Sequence, residues 1–143
     1  MVTRNRRGYS TVFWLGFLTF CLIPLVALAV NVGRFFYARA EMYKTADAAA
    51  LAAVTEIDEK LFRETGQIVL DDGAMATAQA YANMNAGYLH SRKIYPAIIS
   101  ITVDNNKKAV YVEMAAATSE LVPLLGTITL RGRGEAQVRQ AAP

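Results

Sequence analysis

Residue types that build chemical sites are scarce in this sequence of 143 residues, which contains one cysteine and one histidine. The lone Cys21 cannot form an intrachain disulfide, so cysteine usage does not indicate a redox compartment. His90 has no cysteine, carboxylate cluster or second histidine near it at metal-ligand spacing, and we interpret it as an exposed histidine in a loop over residues 88–96. No phosphate-binding loop and no pair of nucleophile and base is evident. We therefore predict no enzyme, no cofactor or metal, and no small-molecule substrate.

An excess of positive charge is also missing from most of the chain. The sequence has 15 Lys and Arg against 12 Asp and Glu, and the surplus of three is carried by Arg4, Arg6 and Arg7. Nucleic-acid binding needs a basic patch on the folded domain, and from Arg34 onward the two signs balance. The composition therefore predicts no nucleic-acid partner.

What the sequence does contain is a long uncharged run after those arginines. Its apolar part, residues 12–32, would span about 32 Å as a helix, which matches a bilayer core. Arg4, Arg6 and Arg7 before the run, with mixed charges after it, predict a cytoplasmic N-terminus and an exterior C-terminal part. Aromatic residues 35–37 follow the run as interfacial residues do. Pro24 removes one backbone hydrogen bond and predicts a kink or a looser turn there.

A cleavable secretory signal is the alternative interpretation of this run. Ala27, Leu28 and Ala29 fit the small-x-small pattern that signal peptidase cuts, which would release an exported soluble protein. The run is long for a signal peptide, however, and the residues after Ala29 continue a helical pattern. We favour a retained membrane anchor.

Helical periodicity continues to about residue 64, and Gly66 then supplies a stop. The predicted buried face of this continuation consists of Phe36, Ala40, Tyr43, Ala46, Ala50, Val54, Ile57 and Leu61. Residues 46–53 are nearly all small, which lets another helix approach closely, either the chain's own second helix or that of a neighbouring subunit. Lys44 and Asp47 are three residues apart and predict a surface ion pair.

The remaining sequence predicts a second helix and three strands. The helix covers residues 72–86 and ends at Gly87, a hairpin covers residues 98–117, and a third strand covers residues 127–139. In the first strand, Ile99, Ile101 and Val103 would share one face. Gly132 and Gly134 fall on the inner face of the last strand, which predicts a helix packed close against the sheet. The apolar connector of residues 119–126 is predicted to pack as a core plug, or alternatively to face a membrane or partner.

The predicted fold class is therefore α+β and membrane-anchored, with a long N-terminal helix, a second helix and a three-stranded antiparallel sheet arranged as a lollipop. We divide the chain into a basic cytoplasmic leader (residues 1–8), a transmembrane helix (9–33), an amphipathic, Ala-rich continuation (34–65) and a small α+β head (66–143).

Several segments in order resemble the TadE/TadG-like proteins of tight-adherence (Tad, Flp-type) pilus systems. They are Arg7-Gly8 before an apolar helix, Asn31-Val-Gly-Arg34, and Thr45-Ala-Asp47-Ala-Ala-Ala-Leu51-Ala-Ala53, followed by Tyr81-Ala-x-x-Asn85 and the alternating last strand. The resemblance extends over nearly the whole chain. It implies a structural component of a Tad/Flp-type pilus or secretion system, acting as a minor pilin, pseudopilin or assembly factor of pilin-like fold.

In related members a prepilin peptidase cuts after a glycine, which here implies cleavage between Gly8 and Tyr9. Phe13 stands at the fifth position after that cut, where pilins and TadE-type members usually carry Glu, so this helix has no carboxylate there to pair with a neighbour's new N-terminus. TadG-type members often carry a von Willebrand A-like domain with a metal site. This chain ends at Pro143 without an Asp-x-Ser-x-Ser motif, so we expect no such domain and no metal.

The resemblance also implies where assembly contacts fall and which partners take part. The implied helix-packing residues are Phe13, Pro24, Gly33, Ala46, Asp47, Ala49, Ala50 and Ala53. The implied partners are membrane lipid, other pilin-like or pilus-assembly subunits and the prepilin peptidase. The implied location is the bacterial inner membrane, crossed once, with incorporation into a surface filament as a further step. A single-pass envelope protein outside any pilus, with a sensor or binding head, is the alternative.

Overall fold

A computed structural model of the protein describes residues 7–119 and 126–138, with side chains from residue 10 onward. The helices are α1 (Arg7–Thr55), α2 (Glu59–Thr65), α3 (Ala74–Asn85) and α4 (Gly87–Ser91), and the strands are β1 (Ala97–Asp104), β2 (Ala109–Thr118) and β3 (Ile128–Gln137). This arrangement confirms the predicted α+β class, with its long N-terminal helix and three-stranded antiparallel sheet. Most of the connector predicted to be a core plug, residues 120–125, lies outside the described residues.

The chain divides into two compact units, one up to Arg34 and one from Phe35 onward. The described part of the first unit is helical throughout, and its large apolar side chains are exposed. Pro24 lies inside the helix. Thr19 satisfies its hydroxyl within the helix by donating to the Leu15 carbonyl at 2.8 Å, so it presents little free polarity on this apolar surface.

Helix α1 ends nine residues earlier than the sequence predicts, because the chain after it pairs with a later segment. Ile57 forms an isolated antiparallel bridge with Leu70, and the Asp58 N–H donates to the Val69 carbonyl at 3.0 Å. This pairing is incompatible with continued helical hydrogen bonding. The Asp58 side chain then accepts from the Leu61 N–H at 2.9 Å and caps α2 as a new helix. Gly66, in the left-handed conformation, ends α2.

The sheet has the order β1-β2-β3, so β2 is central and both neighbours are antiparallel to it. Val110, Val112 and Met114 of β2 are fully buried. The predicted common face of Ile99, Ile101 and Val103 is wrong at Ile99, because the register with β2 shifts between Ile98 and Ser100. This bulge adds a residue to β1, so Ile98 packs on the core and Ile99 is 55% exposed.

The core of the second unit is built largely from small side chains. It combines the buried side of α1 from Ala38 to Ala53 with Ala78 and Ala82 of α3, the inner face of β2, and Leu130 of β3. The larger fully buried side chains, Met42 and Leu89 among them, fill the remaining volume. Because alanine contributes little apolar area, this core depends on close backbone approach for its packing density.

The connections after α3 and β1 differ from the sequence-based expectations. Gly87 begins α4 instead of following α3 as its terminal glycine, and the residue after α3 is Ala86. His90 lies half-buried within α4, 5.5 Å from the Tyr95 ring, and not in an open loop. In the β1–β2 turn it is Lys108, and not an asparagine, that takes positive φ, and its ammonium group donates to the Gly66 carbonyl.

Candidate assembly segment in α1

The apolar surface of α1 is the most extensive exposed hydrophobic feature of the described structure. Phe13, implied as an assembly residue, is 69% exposed. Pro24 and Gly33 are also exposed, and a Cβ added at Gly33 would meet nothing within 4 Å. Among the described residues one helix is long and apolar enough to cross a membrane, and no residue in its most apolar 18-residue window is buried. This surface lacks the covering that a soluble protein gives a helix of such composition.

The implied cleavage site lies at the very start of this helix. Gly8 and Tyr9 fall in the first turn of α1 together with Arg7, and the structure describes only their backbone. Arg4 and Arg6, which with Arg7 predict the topology, lie outside the described residues.

The four implied packing alanines, by contrast, are covered by the chain itself. Ala46, Ala49, Ala50 and Ala53 have no exposed surface in the single chain and share one core cluster with Ala78 and Ala82. In this fold they are therefore not available to a neighbouring subunit.

Strand β3 supplies the closest contact to this segment. A Cβ built on Gly132 would lie 2.7 Å from the Met42 carbonyl oxygen, and one built on Gly134 would lie 2.5 Å from the Asp47 nitrogen and still closer to the Ala46 carbonyl. No side chain fits at such separations, so the backbones of β3 and α1 touch. This confirms the prediction that the inner-face glycines admit a helix, and it makes the sheet, as well as α3, the partner of the alanine segment.

The spacing of the two contacts explains why they can form together. Two strand residues, from Gly132 to Gly134, rise about 6.6 Å. Four helix residues, from Met42 to Ala46, rise about 6 Å. The glycine pair therefore matches one turn of the helix. Sequence reasoning missed Met42 as a contact residue, although its position four residues before Ala46 on the same helical face was available as a signal.

Asp47 lies beside this contact with its side chain exposed. Its Oδ1 accepts a hydrogen bond of 3.4 Å from the Glu135 backbone N–H. The predicted Lys44–Asp47 pair is wrong, because the Lys44 ammonium group lies 3.5 Å from the Glu41 carboxylate, three residues in the other direction. Asp47 is thus bound to the strand and not to its own helix.

Backbone contact with the glycines also decides which side of α1 is buried. The buried side contains Ala38, Met42, Ala46, Ala49 and Ala53, whereas the predicted face members Phe36, Ala40 and Tyr43 are exposed. The prediction was wrong at Phe36 and Tyr43 because it ranked residues by apolarity, whereas aromatic rings do not fit where β3 approaches the helix closely. Ala40 is exposed because the buried side passes through Ala38 and Met42 instead.

Other chemistry is sparse in the part of the chain that the structure describes. Within residues 7–119 and 126–138, no group of three or more His, Cys, Asp or Glu side chains is placed to hold a metal ion. Cys21 is an exposed free thiol on the apolar helix.

Residues 8–56 match the model of a protein family described as putative Flp pilus-assembly TadE/G-like. This segment of the chain is TadE/G-like. The TadE/G-like segment covers about a third of the chain and contains the apolar helix, the alanines and Asp47. Over residues 8–56 it confirms the resemblance seen in the sequence, and it points to a role connected with pilus assembly. No curated protein and no solved structure matches the chain.

Proposed function

We propose that the protein is a membrane-anchored structural component of a Tad/Flp-type pilus or secretion system, acting as a minor pilin, pseudopilin or assembly factor. The observation that carries this proposal is the coincidence of two features in one segment. Residues 8–56 are TadE/G-like, and the apolar part of the same helix is uncovered in the chain. The exposed apolar helix is long enough to span a bilayer. In a TadE/G-like segment, such a helix is expected to contact membrane lipid or other apolar helices.

In this proposal α1 performs two tasks in different parts of its length. Residues 9–32 insert into the inner membrane with the N-terminus in the cytoplasm and pack against the helices of other pilus subunits. Residues 38–53 hold the α+β unit through their own core contacts. The exposed Phe13 can pack against a neighbouring apolar helix but cannot form an ion pair with it. Association at this position therefore depends on how closely the two helix surfaces fit and on the lipid that they displace.

The deciding experiment is the intact mass of the protein recovered from the membrane fraction of its native host. A chain that starts at Tyr9 shows prepilin-type processing and supports a pilin or pseudopilin. A full-length chain shows a permanent anchor and supports the assembly-factor form of the proposal. A chain that starts at Val30 or Asn31, or loss of the protein from membranes, contradicts the proposal and supports the exported soluble alternative.

Two glycine variants test whether a chain that starts at Tyr9 results from cleavage at Gly8. Gly8→Leu should leave the chain uncut if a prepilin peptidase recognises this site. Gly16→Leu, at an exposed position of the same apolar helix where a Cβ meets nothing within 4 Å, should still be processed. Deletion of the protein should impair pilus assembly, whereas the alternative of an unrelated envelope protein predicts normal pili.

A further inference from the structure

Two contacts fix the direction in which α3 and α4 run along α1 within the second unit. Near the C-terminal end of α1, the Thr77 hydroxyl of α3 donates to Glu56 Oε1 at 3.2 Å. Near the start of the unit, the Tyr88 ring of α4 meets the Tyr37 ring edge to face, with 4.5 Å between the ring centroids. The path from α3 to α4 is therefore antiparallel to α1 and returns to the beginning of the unit.

The sheet brings a further aromatic residue to the same end. Gly132 lies against Met42 and Gly134 against Ala46, so β3 runs in the same direction as α1. Strand β1 is parallel to β3, since both are antiparallel to β2, and it therefore also starts near the beginning of the unit. Tyr95 precedes β1 and is 68% exposed. We call the end that holds Tyr37, Tyr88, Arg92 and Tyr95 the proximal end.

Charge is distributed unevenly between the proximal end and the opposite end. At the proximal end, residues 86–99, which run from the end of α3 through α4 into β1, contain Arg92 and Lys93 and no acidic residue. At the opposite end, residues 56–72 and the β1–β2 turn of residues 104–108 together contain seven acidic and four basic residues. Arg92 is exposed, and its guanidinium carbon lies 5.8 Å from the Tyr88 ring centroid. The proximal end therefore combines the exposed rings of Tyr37 and Tyr95 and the half-buried ring of Tyr88 with a cation, and it has few negative groups to repel an anion.

We propose that the proximal end lies on the phospholipid headgroups, with Arg92 binding a lipid phosphate and Tyr37, Tyr88 and Tyr95 at the interface. This inference depends on the proposed function, because it requires α1 in a bilayer. Tyr37 follows Gly33 by four residues of helix, or about 6 Å, which is the thickness of one headgroup layer. Tyrosine prefers this layer because its ring is apolar and its hydroxyl polar, and the planar guanidinium group of arginine binds phosphate through paired hydrogen bonds.

The test uses the full chain in liposomes, with Cys21→Ala as background and single cysteines carrying a nitroxide spin label. The label sites are Ser91 beside Arg92, Asn106 in the β1–β2 turn at the opposite end, and Leu18 in the apolar helix. Liposomes of phosphatidylcholine alone are compared with liposomes containing 30 mol% phosphatidylglycerol, a fraction chosen for the test. The readout is accessibility of each label to a water-soluble nickel complex and to oxygen, which partitions into lipid.

We expect the label at residue 91 to be at least about threefold less accessible to nickel than the label at residue 106 in phosphatidylglycerol liposomes. Arg92→Ala should reduce this protection, whereas Lys107→Ala, which removes an exposed cation at the opposite end, should not. Equal nickel accessibility at residues 91 and 106, with the Leu18 label in lipid, overturns the inference and leaves the anchor intact. If protection of the residue 91 label from nickel changes neither with phosphatidylglycerol nor with Arg92→Ala, the proposed contact between Arg92 and a lipid phosphate is overturned. A Leu18 label accessible to nickel overturns the anchoring proposal itself.

Discussion

Gly132 and Gly134 lie where the backbones of β3 and α1 meet without an intervening side chain. At most core positions a larger side chain can be accommodated by rotamer changes in its neighbours. Here the obstacle is the carbonyl of Met42 or Ala46, which takes part in the hydrogen-bonded backbone of a helix and cannot swing aside. Glycine is therefore required for close approach at these two positions, independently of backbone conformation.

We expect Gly134→Ala to lower the free energy of unfolding by about 3 kcal/mol, the upper end of the cost of overpacking a core. The measurement is urea unfolding of the full chain in a non-ionic detergent, followed by near-ultraviolet circular dichroism of the tyrosines. Gly87→Ala is the matched control, because a Cβ there meets nothing within 4 Å and alanine favours the helix. Equal stability of the two variants would contradict backbone contact at Gly134.

Asp47 provides a second test at the scale of single residues. Its carboxylate accepts from the Glu135 N–H at the edge of the sheet, at 3.4 Å and in an exposed position, so the bond is weak. Asp47→Ala should accelerate hydrogen exchange of the Glu135 amide about threefold, with a stability loss of about 0.7 kcal/mol. Asp47→Asn keeps a side-chain oxygen as acceptor and should exchange as the parent does.

A different result for the asparagine variant would change the interpretation of Asp47. If Asn and Ala accelerate exchange equally, charge and not hydrogen bonding is the contribution of this residue. Lys44→Ala serves as the control, because Lys44 pairs with Glu41 and should leave the Glu135 amide unaffected.

Among the elements, the β1–β2 turn has a role beyond joining two strands. Asn105 Oδ1 accepts a hydrogen bond of 2.6 Å from the N–H of Ile68, whose side chain is buried, and the Lys108 ammonium group donates to the Gly66 carbonyl. The turn thus holds the loop between α2 and α3 against the sheet. This loop in turn provides Leu70, which forms the bridge with Ile57 just after the end of α1.

Asn105→Ala should therefore destabilise the protein by about 1–3 kcal/mol, because it leaves the Ile68 N–H without its acceptor. Asn106→Ala is the comparison, since the structure uses only the backbone of Asn106 in its hydrogen bond to Asp104. Both variants are compared in the same urea titration. Near-identical midpoints would show that the turn does not hold the loop.

The sequence predicts best the elements that depend on interactions between residues close together in the chain. The hairpin and the inner-face glycines follow from alternation along a strand, and both are present in the structure. The end of α1 at Thr55 depends on pairing between residues 57 and 70, and the bulge at Ile99 depends on the register with β2. Neither feature is therefore visible in the sequence around it. The buried side of α1 was mispredicted at Phe36 and Tyr43 because it is selected by a strand some 90 residues away along the chain.

For the whole molecule, the boundary between the two compact units predicts which fragment retains structure. The second unit begins at Phe35 and includes the part of α1 from Ala38 to Ala53 that lines the core. A fragment of residues 35–143 should fold without detergent and give a dispersed amide NMR spectrum. A fragment of residues 57–143 should not, because it lacks the helix against which the sheet packs.

Comparison of the two fragments separates anchoring from folding. If residues 35–143 fold only in detergent, the apolar part of α1 contributes to the fold as well as to membrane contact. If residues 57–143 fold alone, the alanine segment is not part of the structural core, contrary to its complete burial at Ala46, Ala49, Ala50 and Ala53.

The fit of β3 onto α1 has a mechanical consequence. A roll of the helix by one residue, about 100°, would turn the side chain of Tyr43 or Asp47 towards glycines that leave no room even for a methyl group. A slide by less than a full turn would bring Cβ atoms against the strand in place of the two carbonyls. The contact therefore resists both torsion and axial shear, and twist applied to this part of α1 is passed to the sheet as rotation of the whole α+β unit.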